Sequence, residues 1–187
     1  MTVESSTPPP APTGPRRGLS RYLIGLIALG FVALLVYGLA TTGDKRVEEG
    51  MAPDFALTTF DGQPLTLTEL KGKVVVVNFW ATWCLECEKE ASDLEQAWRD
   101  YQDKGVQFVG IDYLDQSPLN LEYLVRYDIT YPNAPDIQGR VYQAYGVQGL
   151  PETFIIDQNG AVRKVFIGAA TRDDLAFEID KLLAEKS

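Results

Sequence analysis

Three features of this 187-residue chain predict an α/β fold, a central mixed sheet with helices on both faces. Val74-Val75-Val76-Val77-Asn78-Phe79-Trp80 is nearly continuous β-branched and aromatic, as a strand covered on both faces requires. Apolar residues at helical spacing follow it directly. Nearer the C-terminus two strand-like runs are joined by Asn159-Gly160, a hairpin signal. Strand and helix in alternation give parallel pairs and the hairpin gives antiparallel ones, so the order βαβα…ββα implies a mixed sheet.

At the N-terminal side, five of the eleven prolines fall within the first fifteen residues, too polar and Pro-rich a stretch to pack a core. Residues 1–21 are read as a disordered, Pro-rich cytoplasmic tail. Tyr22 to Ala40 is uncharged and mostly aliphatic, and nineteen residues at 1.5 Å each span roughly 28 Å, close to the hydrocarbon thickness of a bilayer. This is the expected transmembrane helix, a signal anchor over 22–40. Arg16, Arg17 and Arg21 precede it while Asp44, Lys45, Arg46, Glu48 and Glu49 follow, so the positive-inside tendency puts the tail in the cytoplasm and the domain outside. A cleaved signal peptide is the competing reading, since Gly38 and Ala40 are small enough for processing, but the apolar run exceeds the usual 7–15 residues. Residues 41–50 then serve as a linker to one domain over 51–187.

Within that domain Phe55-Ala56-Leu57-Thr58, Asp61-Gly62 and Leu65-Thr66-Leu67 read as a strand, a turn and a short return, with a break at 70–73. After the central strand, Ala91, Leu94, Ala97, Trp98 and Tyr101 recur at helical spacing from Glu86 to about Lys104, where Gly105 stops the run. Gln107 to Tyr113 is a second buried strand, Pro118 to Tyr127 a helix, and Arg140 to Tyr145 a short helix closed by Gly146. Thr153–Asp157 and Val162–Gly168 form the hairpin, and Thr171 with Asp174 makes a capping box opening a last helix through Leu183.

Composition removes several kinds of chemistry. The sequence has no histidine, which excludes His-dependent triads and His-ligated metals. The net charge is −9, and because the first 43 residues balance to +2 the remainder carries −11. So acidic a domain repels phosphate backbones, which argues against nucleic-acid binding. Two cysteines cannot build a disulfide framework, yet they stand three apart, Cys84 and Cys87, where a buried strand meets a helix N-terminus. Backbone N–H groups and the helix dipole favour a thiolate there. One turn of helix keeps the second thiol within reach of the first, so the pair forms a dithiol switch. A static disulfide or half of a metal site are the plain alternatives, and no further Cys or His exists to complete the latter. No cofactor and no metal is implied by this chemistry.

The segment Asn78-Phe79-Trp80-Ala81-Thr82-Trp83-Cys84-Leu85-Glu86-Cys87 resembles the active site of membrane-anchored thioredoxin-like proteins of the TlpA/ResA/CcmG (DsbE) group. Ala52-Pro53-Asp54-Phe55 with Leu67–Lys73 is similar to that group's N-terminal extension, and Gly146–Asp157 to its second active-site loop. The resemblance implies a thioredoxin-like fold with an N-terminal hairpin extension and a helical insertion. It further implies a thiol–disulfide oxidoreductase that reduces client disulfides outside the cytoplasmic membrane, typically on apocytochrome c, and a membrane electron donor of the CcdA/DsbD type. Cys84 is then the nucleophile, Cys87 the resolving thiol and Glu90 an active-site acid, with Asn78 standing where ordinary thioredoxin has a buried aspartate. Trp83 is a rim residue, and Leu150, a cis Pro151 and Glu152 belong to the client-binding loop, where the backbone of Leu150 pairs with a client strand. Two departures touch substrate choice: Glu86 replaces a proline often found between the cysteines, and Ala91-Ser92 replaces another shortly after Glu90. A peroxiredoxin is the second enzyme reading, opposed by Ala81 and Val77 where that family needs Thr and Pro. A non-catalytic client-binding module is the third, separated from the first by catalytic insulin reduction.

Overall fold

The computed structural model describes residues 17–41, 46–116 and 118–185. The expected disordered tail to residue 16 and the linker positions 42–45 lie outside the described residues. The chain divides into two compact units, Met1–Gly43 and Asp44–Ser187. In the first, helix α1 (Arg17–Thr41) starts five residues ahead of the expected span. Its described side chains, 22–37, are all exposed and mostly apolar. Among the described residues no helix is long and apolar enough to cross a membrane.

The second unit holds strands β1 (Gly50–Met51), β2 (Ala56–Thr58), β3 (Pro64–Thr66), β4 (Val74–Trp80), β5 (Val106–Tyr113), β6 (Asn133–Asp136), β7 (Glu152–Ile156) and β8 (Ala161–Ile167). Helices α2 (Leu85–Tyr101), α3 (Leu119–Arg126), α4 (Arg140–Tyr145) and α5 (Arg172–Ala184) alternate with them. Six strands form one mixed sheet in the order β1-β8-β7-β4-β5-β6, and β2 with β3 makes a separate hairpin. The pairs β4–β5 and β5–β6 are parallel, while β7 runs antiparallel to β4 and to β8. This is the expected mixed sheet with its hairpin extension and helical insertion, the last being α3.

β4 is buried at all seven positions because each face meets its own apolar layer. Val75, Val77 and Phe79 point toward the hairpin side, among Phe55, Leu65, Leu67, Val141 and Tyr145. Val74 and Val76 point the other way, onto Leu94, Ala97 and Tyr101 of α2 and Leu175, Ile179 and Leu182 of α5. A strict period of two along one strand therefore sorts the whole domain into two layers.

Several details depart from the sequence reading. β6 and β1 were not expected. β6 contains Pro135, which lacks a donor and is tolerated only because this strand lies at the sheet edge. β1 is two residues long and carries no periodic signal. α2 ends at Tyr101, after which a turn reaches Gly105. The short return of the hairpin, expected over 65–67, occupies 64–66 and runs into a 3₁₀ turn over Thr68–Leu70. The capping box does open α5: the Thr171 hydroxyl accepts from the Asp174 N–H, and the Asp174 carboxylate accepts from the Thr171 N–H. Gly146 closes α4 at φ 64°, a left-handed conformation that costs a residue without Cβ little.

Candidate active site

β4 delivers the chain to the site and α2 receives it. Between them Ala81, Thr82 and Trp83 turn, and Cys84 becomes the N-cap of α2 in an extended conformation. Its sulfur accepts from the N–H of Cys87 at 3.1 Å, so a cysteine fills the role that Ser or Asp usually plays at a helix start. The same N–H would stabilise a thiolate on Cys84 after reduction. Cys84 and Cys87 are joined as a disulfide with Cα atoms 5.3 Å apart. Cys84 is 6% exposed and Cys87 1% exposed, so only the first offers an edge to solvent. Trp83 and Leu85, exposed to 61% and 74%, flank that edge as an apolar rim.

Behind the disulfide, Glu90 sits one turn beyond Cys87 and is buried. Its Oε1 accepts from Asn78 Nδ2 at 2.7 Å and its Oε2 from the backbone N–H of Ala170 at 2.8 Å, just ahead of α5. Asn78 also reaches Thr153 Oγ1 at 2.9 Å. Burial lifts the Glu90 carboxyl from its ordinary 4.5 to about 7, against the lowering effect of these two donors. The group is thus poised to change protonation near neutral pH.

The loop from Gly146 to Pro151 covers the site from the other side. Leu150 is half-buried and packs on the cluster that holds Trp80, Ala81, Cys84, Cys87 and Tyr123. The Leu150–Pro151 bond is cis, and the Pro151 carbonyl accepts from Gly168 N–H at 2.9 Å. Glu152 and Thr153 pair with Phe79 and Asn78 across β4 and, being consecutive in a strand, face opposite sides of the sheet. Thr153 joins the Asn78–Glu90 group. Glu152 is buried in the opposite layer and forms an ion pair with Arg46 at 2.8 Å. The structure therefore brings Leu150 onto the cluster that holds Cys84 and Cys87, with Trp83 next to Cys84 and Pro151 next to Leu150 along the chain, Glu90 one turn beyond Cys87, and Glu152 in the opposite layer.

Several supporting residues escaped the sequence reading. The Tyr123 hydroxyl, on α3, donates to the Cys87 carbonyl at 3.0 Å, and its ring stacks on Trp80 with centroids 4.4 Å apart. Asp115 accepts from Thr82 twice, from the backbone N–H at 2.8 Å and the hydroxyl at 2.5 Å, which pins the turn before Cys84. Asp112 is buried next to it with Oδ1 unpartnered, and burial together with the Asp115 charge lifts it to about 7. Trp80 Nε1 donates to Asn133 Oδ1 at 2.8 Å. Gly110 makes room for that bond: a Cβ there would stand 1.7 Å from the Asn133 oxygen. The hydrogen-bonded pairs lie 33 to 53 positions apart, so no spacing signals them. Among the described residues no group of three or more acidic or cysteine side chains could hold a metal.

Comparison with known proteins agrees with this geometry. The AhpC/TSA family model matches residues 49–165. The chain is 35% identical to the thiol-disulfide oxidoreductase ResA of Geobacillus thermodenitrificans (strain NG80-2) over 169 residues, 89% of this chain and 97% of that one. It is 32% identical to the thioredoxin-like protein YneN of Bacillus subtilis (strain 168), over 87% of this chain and 98% of that one. The crystal structure of a thiol:disulfide interchange protein DsbE from Chlorobium tepidum superposes with a TM-score of 0.67 at 32% identity, over 74% of this chain and 99% of that one.

Proposed function

Because the chain belongs to the AhpC/TSA family and is a TlpA/ResA/CcmG-like thiol–disulfide oxidoreductase with Cys84 and Cys87 as its redox pair, we propose that it works as a reductant outside the cytoplasmic membrane. In this reading α1 is the anchor, and the clients are disulfide-bearing exported proteins, apocytochrome c foremost. A membrane donor of the CcdA/DsbD type restores the dithiol.

The observation that carries the reductant direction is the charge around the first turn of α2. Glu86 and Glu88 lie there, and Lys89, the one cation near in sequence, is engaged by Glu86 at 2.6 Å. Negative charge beside Cys84 offsets the helix dipole and disfavours the thiolate. A less stable thiolate makes the dithiol a better electron donor.

In the forward step the Cys84 thiolate attacks one sulfur of the client disulfide, and the other client sulfur leaves as a thiolate. The Cys87 thiol loses its proton and attacks Cys84 in the mixed disulfide, which releases the second client thiolate and closes the Cys84–Cys87 bond. Two electrons pass to the client, and Glu90, titrating near 7 one turn beyond Cys87, is assigned to take the Cys87 proton. Trp83, Leu150 and Pro151 form the client surface, with the Leu150 backbone offering strand-like hydrogen bonds.

A Cys87→Ala variant tests the proposal, since it stops the reaction at the mixed disulfide. Apocytochrome c, held through Cys84 and released by dithiothreitol, is the expected catch in cells making cytochrome c. Recovery of other exported proteins with no cytochrome among them overturns the client assignment.

A further inference from the structure

The segment leading into the domain makes two contacts that bracket the client loop. Val47 N–H donates to the carbonyl of Tyr145 at 3.0 Å, directly before the loop opens at Gly146. Arg46 forks onto Glu152, directly after the loop closes at Pro151, with Nε to Oε2 and Nη2 to Oε1 each 2.8 Å. Glu152 Oε1 also accepts from the Gln148 N–H inside the loop at 3.0 Å. The Glu152 side chain is 1% exposed and that of Arg46 11%.

A carboxylate so buried is tolerated only with a charged partner in good geometry. Its partner here comes from the linker, 106 positions away. The planar guanidinium matches both carboxylate oxygens at once, which a lysine ammonium cannot do. The third nitrogen of Arg46 reaches the exposed Glu48 at 3.4 Å, a contact that adds little.

We propose that Arg46 is a positioning residue for client binding: by holding Glu152 it fixes the shape of the loop Gly146–Pro151 against the cysteines. The inference rests on the reading that clients dock on this loop. Preorganising a loop lowers the ordering cost of binding, so loss of the fork is felt in client affinity before it is felt in chemistry.

The test uses the full-length chain in detergent with insulin as client and dithiothreitol as electron source. Arg46→Ala raises KM for insulin at least fivefold with kcat within twofold of the parent, Arg46→Lys gives an intermediate KM, and hydrogen exchange at the Gln148 amide accelerates at least tenfold. A role in stability alone lowers the folded fraction, hence kcat, at unchanged KM. Should Arg46→Ala fail to fold, the double variant Arg46→Leu, Glu152→Gln removes the pair without stranding a charge, and the same rise in KM is expected. An unshifted KM in a folded variant, with the parent active, overturns this inference alone. Absence of insulin reduction by the parent chain overturns the reductant reading and the inference with it.

Discussion

Glu90 carries the clearest pH signature at the scale of one residue. Its carboxyl is lifted from 4.5 to about 7 by burial, so the folded state binds a proton that the unfolded chain has already released between those values. Stability is therefore greatest at and below pH 4.5 as far as this group is concerned, and it falls as pH rises toward 7. The loss is on the order of 3 kcal/mol. Asp112, lifted from 3.8 to about 7 by burial and by Asp115, acts in the same sense. Glu90→Gln should flatten the decline in urea-unfolding free energy between pH 5 and 8 and remove the inflection near 7 from the rate of disulfide exchange, with a loss of rate above that pH of about tenfold or more. An unchanged rate profile would reduce Glu90 to a buried structural acid. Cys84, Cys87 and Glu90 could be picked out from spacing and resemblance. The setting of Glu90 between Asn78, which precedes it by 12 positions, and Ala170, which follows it by 80, could not.

At the scale of elements, α5 and α3 each reach the site through one polar contact. The capping box at Thr171 holds the start of α5, and the adjacent Ala170 amide supports the Glu90 carboxylate. Thr171→Ala should cost about 1 kcal/mol of stability and, by loosening that amide, move the Glu90 titration further up. Stability loss without the second effect would separate the cap from the site. Tyr123→Phe removes the donor to the Cys87 carbonyl and should cost about 1 kcal/mol in denaturant unfolding. Most elements were legible because apolar periodicity is local: four consecutive valines mark β4, and Ala91, Leu94, Ala97 and Tyr101 mark α2. β6 was hidden because Asn133-Ala134-Pro135-Asp136 looks like a turn, and only tertiary pairing with Gly110–Tyr113 makes it a strand. Pairs such as Thr82 with Asp115 and Arg46 with Glu152 join distant segments, where no periodicity records a partner.

For the molecule as a whole, redox direction and topology are the measurable consequences. Redox titration of the protein should place it on the thioredoxin side of the scale, below roughly −220 mV, whereas a value above about −180 mV would mark an oxidant or isomerase. A reporter active only outside the cytoplasm, fused after Ser187, should give signal, and resistance to high-salt extraction should accompany it. Signal from a cytoplasmic reporter would reverse the proposed orientation. The stack of Trp80 on Tyr123, in the apolar cluster that also holds both cysteines, has an optical consequence. A disulfide accepts electrons from an excited indole and quenches its emission, so each turnover should be written in the intrinsic fluorescence of the chain. Reduction should brighten it, and Trp80→Phe should remove most of that change, giving a label-free clock for electron delivery.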